Sequence, residues 1–459
     1  LGIDAIVLSE NLVLRYEYGV FPFRRIIRRK VVFPSVVEYG IDRFLAAVAA
    51  AQARHPAVLL VPGVEVAPHY YWTGSLVERS LTLHNSQKNL LVVGLSRPED
   101  YAALPAPGNA GFARYGWETL ASLWPVLLLL YAGWLWQRRT VKRIRVGVTT
   151  MLVSRRARIP AALLAGGSVA ALVAAWPFDS PLFSLYEPPT HERPYQALID
   201  MAVSRGGLVI WSMPEARDFT VYSFGLLGTV TVQTDPYPRA LVETSGYTGF
   251  GGLYQDTRTM IEPGGLWDQL LVRCLTECRA SPPVLVGEIA LHKPGESGVE
   301  LDQVLNIVTV TELTRTGLLE AMRAGRLYAV SQAGRSFGLR LSTFQVETLD
   351  GAERAGIGEW LKHGTQPLAV RVAITATDGG THPVQVTIIR SGQILSRTSG
   401  TTPFSQHLVD DTLAPHASAY YRLEVRGEGE ILSNPIFVKG TELSSRGIES
   451  GSQTQQQGT

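Results

Sequence analysis

Two stretches, TLASLWPVLLLLYAGWLWQ (residues 119–137) and IPAALLAGGSVAALVAAWPF (residues 159–178), contain no charged side chain. Each approaches the roughly 20 apolar residues with which an α-helix crosses a hydrocarbon core about 30 Å thick. Between them lie Arg138, Arg139, Lys142, Arg143, Arg145, Arg155, Arg156 and Arg158, with no acidic residue. An excess of Lys and Arg in a short loop marks the cytoplasmic side of a membrane, and indole rings favour the interface. The pattern therefore predicts a transmembrane helical hairpin over residues 119–178 with a basic cytoplasmic loop. Trp117, Trp134, Trp136, Arg138, Arg139, Arg143, Arg155, Arg156 and Trp176 are its expected interface residues. The expected location is the inner, cytoplasmic membrane of a bacterium, with the remaining chain on the periplasmic face. The second stretch carries Ala161, Ala162, Gly166, Gly167, Ser168 and Ala170, small residues that permit close helix packing.

Outside this hairpin the composition allows ordinary globular domains. At 459 residues the chain has room for two or three of them. Its mean hydropathy of +0.09 is too low for a polytopic transporter, so one hairpin plus large polar domains fits better. The formal charge of +2 excludes nothing. A second basic run, FPFRRIIRRK (residues 21–30), reads either as a solvated helix face or as a patch for lipid headgroups or an acidic partner. Nucleic acid is not an expected partner, because aromatic residues interleaved with the charges are too few. Cys274 and Cys278 stand four apart on an amphipathic helical pattern and read as packing rather than as a thiol site. The chain opens at Leu1 in mid-motif, which predicts a segment upstream of it.

Apolar, β-branched runs alternate with helical periodicity through both flanks of the hairpin. GIDAIVLS, AVLLVPGVEV, NLLVVGL, GGLVIWS and PVLVGEIAL read as buried strands, which predicts βα units and a largely parallel sheet. From residue 336 the pattern becomes strict alternation broken by Gly, Asp and Pro, the signature of an antiparallel β-sandwich. The expected organisation is 1–118 and 179–335 for a split α/β unit, 119–178 for the hairpin and 336–440 for the sandwich. Residues 441–459, rich in Ser, Gly and Gln, read as a disordered tail.

GIDAIVLSEN, VLLVPGVEVAPHYYWTG, GGLVIWSMPEA, VGEIALH and LLEAMRAGRLYAV, in that order, resemble successive motifs of the PHP (polymerase and histidinol phosphatase) metallohydrolases. The likeness is to the subgroup with a C-terminal β-sandwich that ends in YYRLEV…NPIFV. It implies a distorted βα barrel whose strand ends hold two or three metals that activate water for phosphoester hydrolysis. Placed on this chain, most of the implied ligands are replaced. Asn11 stands for a histidine in the second motif, Asn89 for the histidine before the third strand, Met213 for the histidine of H-P-E, and Ala290 for the aspartate of D-x-H. Glu65 and His292 survive. A carboxamide is a weak donor to divalent ions, a thioether prefers soft metals, and alanine offers nothing.

The expectation is thus a membrane-anchored PHP-like pseudoenzyme without catalytic residues or a bound metal, serving as an accessory subunit beside integral membrane proteins and the lipid bilayer. The alternative is a hydrolase using Zn, Mn or Fe in a rearranged site that recruits Glu10, Glu65, His84 and His292. An improvised mononuclear site of Glu10, His69 and His84 lacks any supporting motif.

Overall fold

The computed structural model describes the chain except residues 1, 22–23, 25–26, 114–119, 121, 148, 175–180, 226–227, 255–257, 278–280, 291–300, 333–336 and 442–459. The apolar runs of the first and third quarters assemble one six-stranded sheet. Its order is Val284–Gly287, Gly249–Leu253, Leu208–Trp211, Leu90–Val93, Gly63–Val66, Glu10–Asn11. Leu90–Val93 runs antiparallel to both neighbours, whereas the remaining pairs are parallel. The sheet is therefore mixed and its edges do not meet in a closed barrel, which corrects both the parallel sheet and the barrel expected from the sequence. The physical reason lies in the connections. Four residues link Val66 to the antiparallel hairpin Tyr71–Ser75 and Ser80–His84, and five link that hairpin to Leu90, so no crossover helix returns the chain in parallel before Leu90.

Helices cover this sheet as their periodicity predicts. Arg193–Ser204 buries Tyr195, Leu198, Ile199 and Ala202, and Ile41–Arg54 buries Phe44 and Val48. These side chains join Leu90, Val92, Val209, Trp211, Phe250 and Leu285 in the first core.

The C-terminal alternating runs form two sheets around a second core of Val346, Val370, Val372, Ile374, Val386, Ile388, Leu423 and Val425. The larger of these sheets also takes in Val304–Val308 and Leu327–Ser331, the latter pairing with Glu430–Ser433. The chain thus enters the second layer before residue 336. A buried ion pair fastens the two cores. Arg422, 1 % exposed, donates to Asp268 from Nε and from a terminal nitrogen, both at 2.7 Å, and the Tyr420 hydroxyl donates to the same carboxylate at 2.7 Å.

The described residues do not show the expected transmembrane hairpin. Its helices are Trp124–Gln137 and Arg158–Ala174, of 14 and 17 residues. At 1.5 Å per residue these reach about 21 and about 26 Å, short of a 30 Å core. No helix among the described residues is long and apolar enough to cross a membrane. With that, the expected membrane anchoring and inner-membrane location lose their support. The loop explains the difference: Thr140, Val141, Ile144, Val146, Thr149, Thr150 and Val153 are β-branched and favour strand. They fold into an antiparallel ribbon, Arg139–Val146 with Thr149–Arg156, which ends each helix at its basic flank. Arg139 pairs with Arg156, Thr140 with Arg155 and Arg143 with Leu152, so these residues stand on a ribbon and not in an open loop. Arg138 lies over the Trp134 ring at 4.6 Å, and Arg158 over Trp136 at 5.8 Å. Trp117 and Trp176 lie outside the described residues. The two helices pack together, with Ala132, Ala161 and Ser168 buried. Leu127, Leu130, Trp134, Ile159 and Leu163 are exposed.

Within the run at residues 21–30, Arg28, Arg29 and Lys30 are strand and not helix. Arg15–Gly19 and Arg28–Val32 form an antiparallel ribbon in which one carboxylate, Glu17, gathers Arg15 at 3.1 Å, Arg28 at 3.2 Å and Lys30 at 4.0 Å. Cys274 is half-buried, and Cys278 lies outside the described residues.

Candidate functional site

Strand direction brings the motif residues to one edge of the six-stranded sheet. Asn11 pairs with Glu65 and Glu65 with Leu91, so the end of the Gly63–Val66 strand meets the start of the antiparallel Leu90–Val93 strand. Leu90 pairs with Trp211, and the Ser212 N–H donates to the Asn89 carbonyl at 3.1 Å. Glu288 follows the edge strand Val284–Gly287 at the same end. Asn11, Glu65, Asn89, Ser212, Met213 and Glu288 therefore share a single rim.

Their bonds are made to one another. The Asn89 side-chain N–H donates to Glu65 Oε1 at 2.7 Å and to Gln87 Oε1 at 3.3 Å. Glu288 Oε2 accepts from the Ser212 hydroxyl at 3.0 Å and from the Met213 N–H at 3.1 Å. Met213 takes φ +39°, a left-handed backbone unusual for a non-glycine residue, and this turns its N–H toward the carboxylate. Glu288 Oε1 is buried with no hydrogen-bond partner among the described residues. Burial, and secondarily the charge of Glu65, push the Glu288 carboxyl up to about 8, while its bonds from Ser212 and Met213 act in the opposite direction. The carboxyl is accordingly neutral at pH 7. Gly251 makes room for it, since a methyl there would sit 2.4 Å from the carboxylate carbon.

A cation lies beside this rim, supplied by the chain itself. Lys88 is 5 % exposed and its Nζ meets Glu192 Oε1 at 2.6 Å. Three aromatic faces surround the ammonium: Tyr195 at 4.5 Å, Tyr237 at 5.4 Å and Trp211 at 5.9 Å. Burial lowers the Lys88 pKa, and the Glu192 carboxylate opposes that shift. His191 and Glu192 both adopt left-handed φ, 49° and 50°, at the turn that presents this carboxylate. The Tyr237 hydroxyl donates to the Ser212 carbonyl, closing the floor between the two clusters.

The other residues singled out from the sequence fall elsewhere. His69, 1 % exposed, bonds the Ser184 carbonyl through Nε2 at 2.8 Å, and His84 bonds the Thr73 hydroxyl at 2.8 Å. Both imidazoles stack on the Tyr71 ring, at 6.2 and 4.6 Å, and burial lowers both pKa values. Glu10 is exposed on its edge strand. Glu215 is not a free carboxylate: its Oε1 accepts from the Thr259 N–H at 3.0 Å and from the Met260 N–H at 3.3 Å. Ala290 is exposed, and His292 lies outside the described residues.

At the rim Glu65 Oε1 receives an amide N–H, the neighbouring cation is an ammonium, and burial raises the Glu288 pKa. Among the described residues no group of three or more His, Cys, Asp or Glu is placed to hold a metal ion. Sequence reasoning missed Glu288, Lys88 and Glu192. Glu288 stood in the quoted VGEIALH motif, and its signal was an acidic residue directly after a buried apolar strand.

No protein-family model and no curated protein matches this chain.

Proposed function

We propose that this chain is a non-catalytic PHP-like protein that works as a structural or binding subunit of a larger assembly. The observation that carries the reading is the pairing of Glu65 with Asn89 and of Lys88 with Glu192 at the rim. Where the resembled family needs lone pairs directed at metals, the Asn89 amide donates to Glu65, and Lys88 with Glu192 supplies an internal, already neutralised ion pair. A protein whose rim is paired in this way can serve as a scaffold, since fold and function are independent. The two cores, joined through Asp268 and Arg422, offer a rigid body on which a partner surface can be carried.

The test is metal analysis of the purified protein together with phosphoesterase assays after incubation with Zn, Mn and Fe salts. Substoichiometric metal and no turnover above the free salts are expected. Two or more tightly held metals per chain, or metal-dependent turnover lost in Glu65→Gln, would replace this proposal with a hydrolase.

A further inference from the structure

The strand Asp218–Ser223 stands at the edge of a four-stranded sheet whose order is Asp218–Ser223, Thr229–Thr234, Ser80–His84, Tyr71–Ser75. Residues 219–224 carry no charge. Phe219, Val221, Tyr222 and Phe224 are each more than half exposed, so both faces of the strand are open and apolar. An exposed strand edge of this kind templates pairing with another chain, and proteins ordinarily guard it with charges or proline. No such guard interrupts residues 219–224. The opposite edge of the same sheet is covered, since the Trp72 N–H donates to the Leu185 carbonyl at 2.9 Å.

The hydrogen-bond phase of the edge is fixed. Phe224 donates to the Gly228 carbonyl directly opposite it at 2.9 Å, so the even-numbered residues face the inner strand. Main-chain groups of Phe219, Val221 and Ser223 therefore point outward. A two-fold axis through Val221 sets Val221 against Val221 and Phe219 against Ser223, which matches outward residue with outward residue along the whole strand. In that register Asp218 meets Phe224 and Arg217 meets Gly225, so no like charges oppose one another. Three half-exposed aromatic rings, one valine and the strand backbone expose roughly 500 Å² per copy, so the contact buries at most about 1,000 Å² in total, the lower bound for a specific interface.

We infer that Asp218–Ser223 is the contact of an antiparallel, two-fold homodimer in which two four-stranded sheets join into one of eight strands. The contact goes beyond the scaffold reading and does not depend on whether the rim is catalytic. A contact at this lower bound of size gives a reversible rather than an obligate dimer.

Sedimentation of the full chain across a concentration series from sub-micromolar to the highest soluble concentration tests it, with circular dichroism verifying the fold of each variant. Wild type is expected to pass from monomer to dimer. Val221→Lys places two ammonium groups face to face and is expected to weaken the dimer at least roughly tenfold, as is Val221→Glu. An equimolar mixture of the two variants is expected to dimerise again. Val221→Pro, whose lost N–H points away from its own sheet, is expected to remain folded and monomeric. A wild-type chain that stays monomeric overturns the inference, and so does a dimer indifferent to Val221→Lys or a charge-swapped mixture that fails to recover. Capture of an unrelated strand-forming peptide by a strictly monomeric chain would assign the edge to another partner.

Discussion

Replacing Glu288 by glutamine should remove a pH dependence of stability that wild type shows across the neutral range. The carboxyl ionises near 4.5 when solvated and near 8 in the folded protein. The folded state therefore holds a proton that the unfolded state releases, and stability is greatest below the unfolded value. It falls as pH rises toward the folded value, by about 1.4 kcal/mol per pH unit. Between about pH 5 and about pH 8 the loss reaches roughly 4 kcal/mol as an upper value, a large share of the 5–15 kcal/mol typical of a domain. Glutamine keeps the acceptor for Ser212 and Met213 but cannot ionise, so its denaturation midpoints should be nearly flat over the same interval. His69 and His84, whose pKa values are lowered, act in the opposite sense below about pH 6.5 and are common to both proteins. The difference between the two urea-denaturation series thus isolates Glu288. Parallel pH profiles for wild type and Glu288→Gln would refute the burial argument, as would a wild type that gains stability from pH 6 to pH 8 relative to the variant.

Three other outcomes follow from the same geometry. Gly251→Ala drives a methyl into the Glu288 carboxylate and should cost about 1–3 kcal/mol in urea denaturation, with partial recovery in Gly251→Ala/Glu288→Ala. Lys88→Met leaves the Glu192 carboxylate without its counter-charge and should cost about 3 kcal/mol. Lys88→Met/Glu192→Leu should recover most of that loss, and a double-mutant cycle with coupling below about 0.5 kcal/mol would remove the ion pair from the account. Asp268→Ala strips the buried Arg422 of its carboxylate and should cost about 3–5 kcal/mol, lowering the thermal transition of both cores together.

The sequence by itself determined several of the buried core strands and where the second core lies. Alternation along LAVRVAITA and PVQVTIIR puts every second side chain on one face, and the resulting strands Leu368–Ala376 and Pro383–Arg390 bury those faces as the period requires. The motif order likewise placed Glu65, Asn89 and Met213 near one another, because strand ends in a sheet share an edge. Local pattern could not decide strand direction: Leu90–Val93 reads the same forwards or reversed, and only its neighbours made it antiparallel. The apolar stretches misled for a related reason. Hydropathy measures transfer into an apolar medium, whereas helix length depends on where β-branched residues and proline end the helix, and here Pro125 and the ribbon Arg139–Arg156 set those ends. The Lys88–Glu192 pair, 104 residues apart in sequence, and the neutral Glu288 exist only through tertiary contact. A charge's pKa and partner are properties of its surroundings, and a linear sequence does not contain those surroundings until the chain has folded.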